Sequence, residues 1–150
     1  MVQENDKPVL KEVKLTAAFD TILISSGVNV LLIEGESETL TIQAPQKYVD
    51  AITIREKDGE LIIGSKSDGG KARAVVYLPV NHLKKIRVNG EARVYTVGMI
   101  HSPELLINIM GNCDFGINNQ GRVTIVHSNE FEVEYNWLDN RKMANELVTL

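Results

Sequence analysis

Residues 107–118 read INIMGNCDFGIN, and residues 123–134 read VTIVHSNEFEVE. The two stretches align without gaps and place Phe115 over Phe131. A shorter stretch upstream, residues 86–94 with the sequence IRVNGEARV, fits the same frame. A strand–turn–strand unit that returns after about 16 to 21 residues is typical of a β-solenoid, whose coils bury their apolar rows only against neighbouring coils.

The aligned frame also predicts how side chains stack from coil to coil. Apolar residues in phase should form interior ladders, while the polar residues between them face water. Two ladders are predicted: Val88, Ile109 and Ile125 in one, and Val94, Phe115 and Phe131 in the other.

Strand signals extend over the whole chain, because short runs rich in Val, Ile and Thr alternate with polar residues and end at Gly, Asn or Asp. The sequence therefore predicts an all-β fold with hairpins in its N-terminal half, at Glu34–Glu38 and at Asp58-Gly59. Two helical candidates remain, a single turn at Gln46–Ala51 and a tail from Asp139. The predicted strands are Val9–Leu15, Phe19–Ser25, Val28–Glu34, Leu40–Ala44, Ile52–Glu56, Leu61–Lys66, Arg73–Leu78, Lys85–Val88, Arg93–Val97, Leu105–Ile109, Asp114–Ile117, Arg122–Val126 and Glu130–Tyr135.

Length and composition indicate one globular domain over residues 1–150, with 43% apolar and 24% charged residues. We expect residues 1–8 to be a flexible N-terminus. Residues 139–150 are expected either to cap an exposed sheet edge or to fray. The net charge is −4, and the one tight basic cluster, Lys84, Lys85 and Arg87, is read as a solvated strand end, so nucleic acid is not expected as a partner.

The compartment is not fixed by thiol content, because the chain has a single cysteine. No apolar run reaches the 18 or so residues of a membrane span. The first ten residues lack the apolar core of a signal peptide, so an exported protein is expected to have lost its leader ahead of residue 1.

Catalytic chemistry finds little support in the sequence. The histidines His82, His101 and His127 fall in unrelated turns without metal-ligand spacing, and no nucleotide-binding or hydrolase motif is present. A Cys113–His127 nucleophile is one hypothesis. The favoured alternative is that Cys113 is a buried, inert core thiol. No catalytic residue, cofactor or metal site is predicted.

One acidic strip stands out as a possible partner surface. Carboxylates at alternate positions of a strand lie on one face about 6.6–6.8 Å apart. Such a strip could bind Ca²⁺ or serve polysaccharide cleavage, but a solvated strand face is the favoured explanation, and no calcium-loop spacing is present. Aromatic platforms for sugars are few, and Trp137 is expected to pack over the open end of the last strand. The strip consists of Arg93, Asp114, Glu130, Glu132 and Glu134.

The order of several segments resembles the putative auto-transporter adhesin, head GIN domain family of Bacteroidetes. The resemblance covers Val13 to Tyr135. The turns of this chain, Asn-Gly-Glu, Met-Gly-Asn and His-Ser-Asn, replace the family's frequent Gly-Ser-Gly-like turns. The matching segments are Phe19–Ile22, Gly27–Ile33, Leu40–Gln43, Asp58–Ile63, Ala74–Pro79, Leu83–Ile86, Asn89-Gly90 and Met110-Gly111.

The resemblance implies a right-handed parallel β-helix-like fold, export to the cell envelope and an adhesion role without catalytic residues. We therefore expect a non-enzymatic, extracytoplasmic binding module that contacts a protein or glycan through exposed sheet faces. The alternative is a carbohydrate-active enzyme, a polysaccharide lyase or hydrolase, on a β-helix scaffold.

Overall fold

The computed structural model describes residues 7–25, 27–66, 74–127, 134–135 and 145–149. Those residues form fourteen strands and one short helix, so the prediction of an all-β chain is confirmed. The strands are β1 (Pro8–Lys14), β2 (Thr21–Ser25), β3 (Val28–Glu34), β4 (Thr39–Pro45), β5 (Ile52–Lys57), β6 (Glu60–Ser65), β7 (Ala74–Val80), β8 (Lys85–Asn89), β9 (Ala92–Val97), β10 (Glu104–Met110), β11 (Cys113–Gly116), β12 (Arg122–His127), β13 (Glu134–Tyr135) and β14 (Asn145–Thr149). The helix α1 (Gln46–Val49) follows Pro45, as the single predicted turn requires.

The strands lie in two seven-stranded sheets. Sheet A has the order β1-β4-β7-β3-β9-β11-β13, and sheet B has the order β14-β12-β10-β8-β2-β6-β5. Both sheets are mixed, because β4 is antiparallel to β1 and β7 in sheet A and β5 is antiparallel to β6 in sheet B. The other paired strands run parallel.

Alternation of apolar and polar residues explains why these segments form sheets with one buried face. Along β3, Val28, Val30 and Leu32 are fully buried, and the residues between them are half-buried. β-Branched and aliphatic side chains at every second position fit a pleated strand that buries one side. The inward residues of both sheets form one buried apolar cluster, which includes Ile22 and Phe115.

From β8 to β12 the chain alternates between the sheets, and each strand from β10 onwards pairs in parallel with the strand two before it. The register confirms the predicted neighbours Val88 with Ile109 and Val94 with Phe115. The turns coincide as well, because the N–H of Gly90 donates to the carbonyl of Met110 at 2.7 Å.

The predicted register is wrong for the last coils. Ile125 lies beside Ile107 instead of Ile109, and Tyr135 lies beside Phe115. Phe131, the predicted third member of that ladder, lies outside the described residues. Ile107 and Ile125 are 18 positions apart, and Phe115 and Tyr135 are 20 apart, whereas the ungapped alignment has 16. Shifts of two or four residues leave the buried face unchanged.

The N-terminal half contains one of the two predicted hairpins. Asp58 and Gly59 both have positive φ, at 49° and 80°, and join the antiparallel pair β5 and β6. Such a pair of central residues suits a tight hairpin turn. The hairpin at Glu34–Glu38 is wrong, because β7 lies between β3 and β4.

The C-terminal tail is not helical where the structure describes it. Asn145–Thr149 forms β14, which pairs in parallel with β12 at the edge of sheet B. The predicted helix start at Asp139 lies outside the described residues. An unpaired edge of β12 offers a full row of backbone partners, which outweighs the weak helical spacing of the tail.

Candidate functional site

The outer face of sheet A carries a row of large side chains across its three central strands. Leu31 on β3 lies directly between Tyr77 on β7 and Tyr95 on β9. All three are half-buried and alternate with buried residues, so they point away from the core. With strands spaced about 4.8 Å apart, the two tyrosine positions are roughly 9–10 Å apart.

Hydrogen bonds fix both tyrosines on this surface. The hydroxyl of Tyr77 donates to Oε1 of Gln43 at 2.7 Å, and the hydroxyl of Tyr95 donates to Oδ1 of Asp114 at 2.6 Å. Each acceptor lies on a neighbouring strand away from Leu31. The phenol groups therefore bond to partners on the side away from Leu31, which is itself half-buried between them.

The row continues into a wider apolar surface that we call the tyrosine face. Val97, at the end of β9, is 50% exposed. Tyrosine and aliphatic side chains surrounded by polar groups are typical of interaction surfaces. Gln43, Arg93 and Asp114 supply the polar rim. The tyrosine face comprises Leu31, Ile33, Val75, Tyr77, Pro79, Tyr95 and Val97.

The predicted acidic strip lies beside this face, although in a different register. Arg93, Asp114 and Glu134 occupy neighbouring positions on β9, β11 and β13. Asp114 was predicted to meet Glu130 and instead lies beside Glu134, while Glu130 and Glu132 fall outside the described residues.

Charge within the strip is partly neutralised. Nε of Arg93 lies 3.8 Å from Oδ2 of Asp114, and the two side chains are 68% and 33% exposed. An exposed pair of this kind contributes little to stability, at about 0–1 kcal/mol. Among the described residues, no three His, Cys, Asp or Glu side chains are close enough together to hold a metal ion.

A concave feature, which we call the end cleft, lies at the edge where strands of sheet A end and strands of sheet B begin. Its volume is about 530 Å³. Its walls are loops that are far apart in sequence, so no local motif could predict it. Its lining residues come from 15–20, 35–38, Gly59 and 79–84.

The loop 15–20 in the wall of the end cleft is held by Glu56. The carboxylate of Glu56 accepts the N–H groups of Thr16 and Ala17 at 2.8 to 3.1 Å and the hydroxyl of Thr16 at 2.9 Å. These backbone donors lower the pKa of Glu56, because they stabilise its charged form. Further along the loop, the carbonyl of Asp20 accepts the N–H groups of Lys84 and Lys85.

Cys113 is a core residue. It is 6% exposed and pairs with Ala92. Burial, helped by the charge of Asp114, raises the pKa of its thiol to about 12. The prediction of a buried thiol is confirmed, and a protonated thiol at neutral pH is not a nucleophile. The ungapped alignment of residues 107–118 on 123–134 places His127 over Gly111, and this position is wrong, because His127 lies beside Ile109 in the parallel register.

A second histidine forms a contact that the sequence does not predict. Nδ1 of His101 contacts the carboxylate of Glu34, and the backbone N–H of His101 donates to the same carboxylate at 2.8 Å. The two residues are 67 positions apart, so no local motif connects them. The pair ties the loop after β9 to the end of β3.

Comparison with known proteins adds to this geometry. A family model described as putative auto-transporter adhesin, head GIN domain, matches residues 18–136. The chain belongs to this family. The resemblance found in the sequence is thereby confirmed. No curated protein sequence matches the chain.

Solved structures share the fold of this head GIN domain. A putative lipid binding protein from Parabacteroides distasonis ATCC 8503 superposes with a TM-score of 0.61 at 13% identity, covering 86% of this chain and 66% of its own. A putative adhesin from the same organism gives a TM-score of 0.52 at 13% identity, covering 96% and 79%. At such identities the likeness concerns the fold alone. No helix in the described part of the chain is long and apolar enough to cross a membrane.

Proposed function

We propose that this head GIN domain is a non-enzymatic adhesion module of the cell envelope, which binds a protein or glycan partner through the tyrosine face. The observation that carries the proposal is the row Tyr77, Leu31 and Tyr95 on adjacent strands. Membership of an adhesin head family supports the adhesion role and the extracytoplasmic location. The acidic strip would then form one rim of the contact, through Arg93 and Asp114.

The composition of the face supports binding on physical grounds. Aromatic residues bring large, stiff contact areas, and buried clusters of them carry most of the energy of many interfaces. The hydrogen bonds to Gln43 and Asp114 hold the tyrosine side chains before a partner arrives, so less conformational entropy is lost on binding.

We further propose that strands β8 to β14 are stacked coils of a right-handed β-helix. The supporting observation is that successive strands alternate between the sheets and return in parallel beside the strand two before. This arrangement would give the tyrosine face a flat, rigid support. No observation favours the alternative of a carbohydrate-active enzyme.

The experiment uses a fluorescent form of the chain, a glycan array and a panel of immobilised extracellular glycoproteins. At least one array or panel member should retain the chain. Leu31→Asp should weaken that binding tenfold or more, because it places a charge between the two tyrosines. Leu23→Asp is the matched control, since Leu23 is also a half-buried leucine, flanked by Ile62 and Arg87 on the outer face of sheet B.

Equal weakening by both variants would contradict the assignment of binding to sheet A. Retention of the chain by no member of either set would contradict the adhesion role itself.

A further inference from the structure

We propose that the end cleft is a second binding site, which adjoins the tyrosine face at Pro79, and that it takes one or two units of an uncharged saccharide. The size of the cleft supports this proposal. Its volume of about 530 Å³ lies in the range of small-molecule sites, which is roughly 300–1,000 Å³. The cleft is partly open to solvent, as binding to the end of a larger glycan requires.

The cleft is built from loops that are already tied in place. Glu56 holds Thr16 and Ala17, and the N–H of Leu15 donates to the carbonyl of Glu38 at 2.7 Å. The carbonyl of Gly59 accepts the N–H groups of Asp20 and Thr21. A site held in this way loses little conformational freedom when a ligand enters.

The lining is amphipathic in the manner that a sugar requires. Phe19 and Pro79 supply apolar surface, and Ser37 and Asn81 supply polar groups that can donate and accept hydrogen bonds. A pyranose ring has apolar C–H faces and a rim of hydroxyl groups, so it can use both kinds of lining at once. A purely apolar ligand would leave the polar groups without partners, which is costly.

The net negative charge of the lining residues disfavours acidic ligands. Among the described residues that line the cleft, Asp20, Glu36 and Glu38 are acidic and Lys84 is the one lysine or arginine. Nζ of Lys84 already lies 3.9 Å from Oδ2 of Asp20. Sulfated or sialylated sugars and phosphate headgroups would meet net negative charge. Glu36 and Glu38 are exposed, so solvent screening also weakens any attraction for a cationic ligand. Neutral hydroxyl groups can still donate to these carboxylates.

One residue in the wall of the cleft has an uncommon backbone conformation. His82 has a φ of 59°, which is uncommon for a residue other than glycine, and it lines the cleft between Asn81 and Lys84. Such conformations occur more often at functional sites than elsewhere.

The test is a titration of the ¹⁵N-labelled chain with maltose, cellobiose, lactose and N,N′-diacetylchitobiose, followed by two-dimensional NMR. At least one disaccharide should shift the amides of residues 16–19 and 35–38 in a saturable manner. Amides at the opposite edge, in residues 87–92, should not move. Ala18→Trp fills the cleft and should weaken binding at least tenfold, whereas Asn112→Trp, at an exposed turn on the opposite edge, should leave it unchanged.

Asn81→Ala removes a polar group of the lining without adding bulk, and it should weaken binding severalfold even if Ala18→Trp fails to fold. The proposal is overturned if no disaccharide gives saturable shifts, if the shifts lie outside the cleft, or if 3′-sialyllactose or a trilysine peptide binds more tightly than every neutral disaccharide. Leu31→Asp should leave the disaccharide shifts intact, so failure of the cleft and failure of the tyrosine face can be told apart.

Discussion

Gly121→Ala tests whether the turn before β12 is built around a close backbone contact. Gly121 has a φ of 140°, and a Cβ placed there would lie 2.0 Å from the carbonyl oxygen of Ser102. Next to this contact, Nδ2 of Asn119 donates to that same carbonyl at 2.9 Å, and the N–H of Ser102 donates to Oδ1 of Asn119 at 2.8 Å. Both residues are buried.

The expected destabilisation has three sources. A positive φ without glycine costs roughly 1–2 kcal/mol. Forcing extra atoms into a packed site costs about 1–3 kcal/mol. Displacing the Ser102 carbonyl weakens hydrogen bonds that contribute about 0.5–1.5 kcal/mol each. Alanine also makes the unfolded chain less flexible than glycine does, which offsets about 0.4–1 kcal/mol of this destabilisation. We expect Gly121→Ala to lower the free energy of unfolding by about 3–5 kcal/mol.

Gly98→Ala is the matched control, because Gly98 has a φ of 73° and nothing within 4 Å of its built Cβ. It carries the backbone cost alone, so we expect a loss of about 1 kcal/mol. Urea unfolding followed by circular dichroism measures both. If the two variants lose the same stability within about 0.5 kcal/mol, the close contact at Gly121 does not constrain the turn.

Three further predictions follow from buried and hydrogen-bonded groups. Phe115 is 1% exposed, so Phe115→Ala should lower the free energy of unfolding by about 3–5 kcal/mol in urea, and Val97→Ala, at a 50% exposed position, should change it by less than about 1 kcal/mol. Cys113, whose thiol pKa is raised to about 12, should react with a thiol reagent at neutral pH far more slowly in the native protein than in denaturant; equal rates would reopen a nucleophilic role. The pKa of Glu56 is lowered in the folded state, so its contribution to stability is present above its unfolded pKa and is lost as pH falls through the folded pKa. Glu56→Gln should therefore lower the melting temperature at pH 7 and have progressively less effect below about pH 4, whereas a difference that is the same at both pH values would contradict the role of the carboxylate.

Alternation of residue types located most of the strands, because a strand that buries one face leaves a period of two in its sequence. Val28–Glu34 was predicted with the bounds that the structure has. The register was predicted where consecutive turns have equal length, as at Gly90 and Gly111. The predicted register is wrong at Ile125, because a pattern of alternating residues does not change when a strand shifts by two residues.

The surface was less predictable than the strands. Arg93 and Asp114 are neighbours as predicted, since β9 and β11 pair in parallel at the same sequence offset as β8 and β10. Tyr77 and Leu31 are neighbours although β4 to β6 lie between their strands in the chain, and no repeat in the sequence relates the two. The end cleft could not be predicted from the sequence either, because its walls come from four separate segments.

The central claim is that partners contact the outer face of sheet A. The most direct measurement is backbone amide NMR of the ¹⁵N-labelled chain with and without a glycan or glycoprotein that retains it on the array or panel. We expect the perturbed amides to cluster in residues 29–33, 75–78 and 93–97, on the three strands that carry the tyrosine face. Perturbations confined to residues 21–25, 60–65 and 85–89 of sheet B would contradict it.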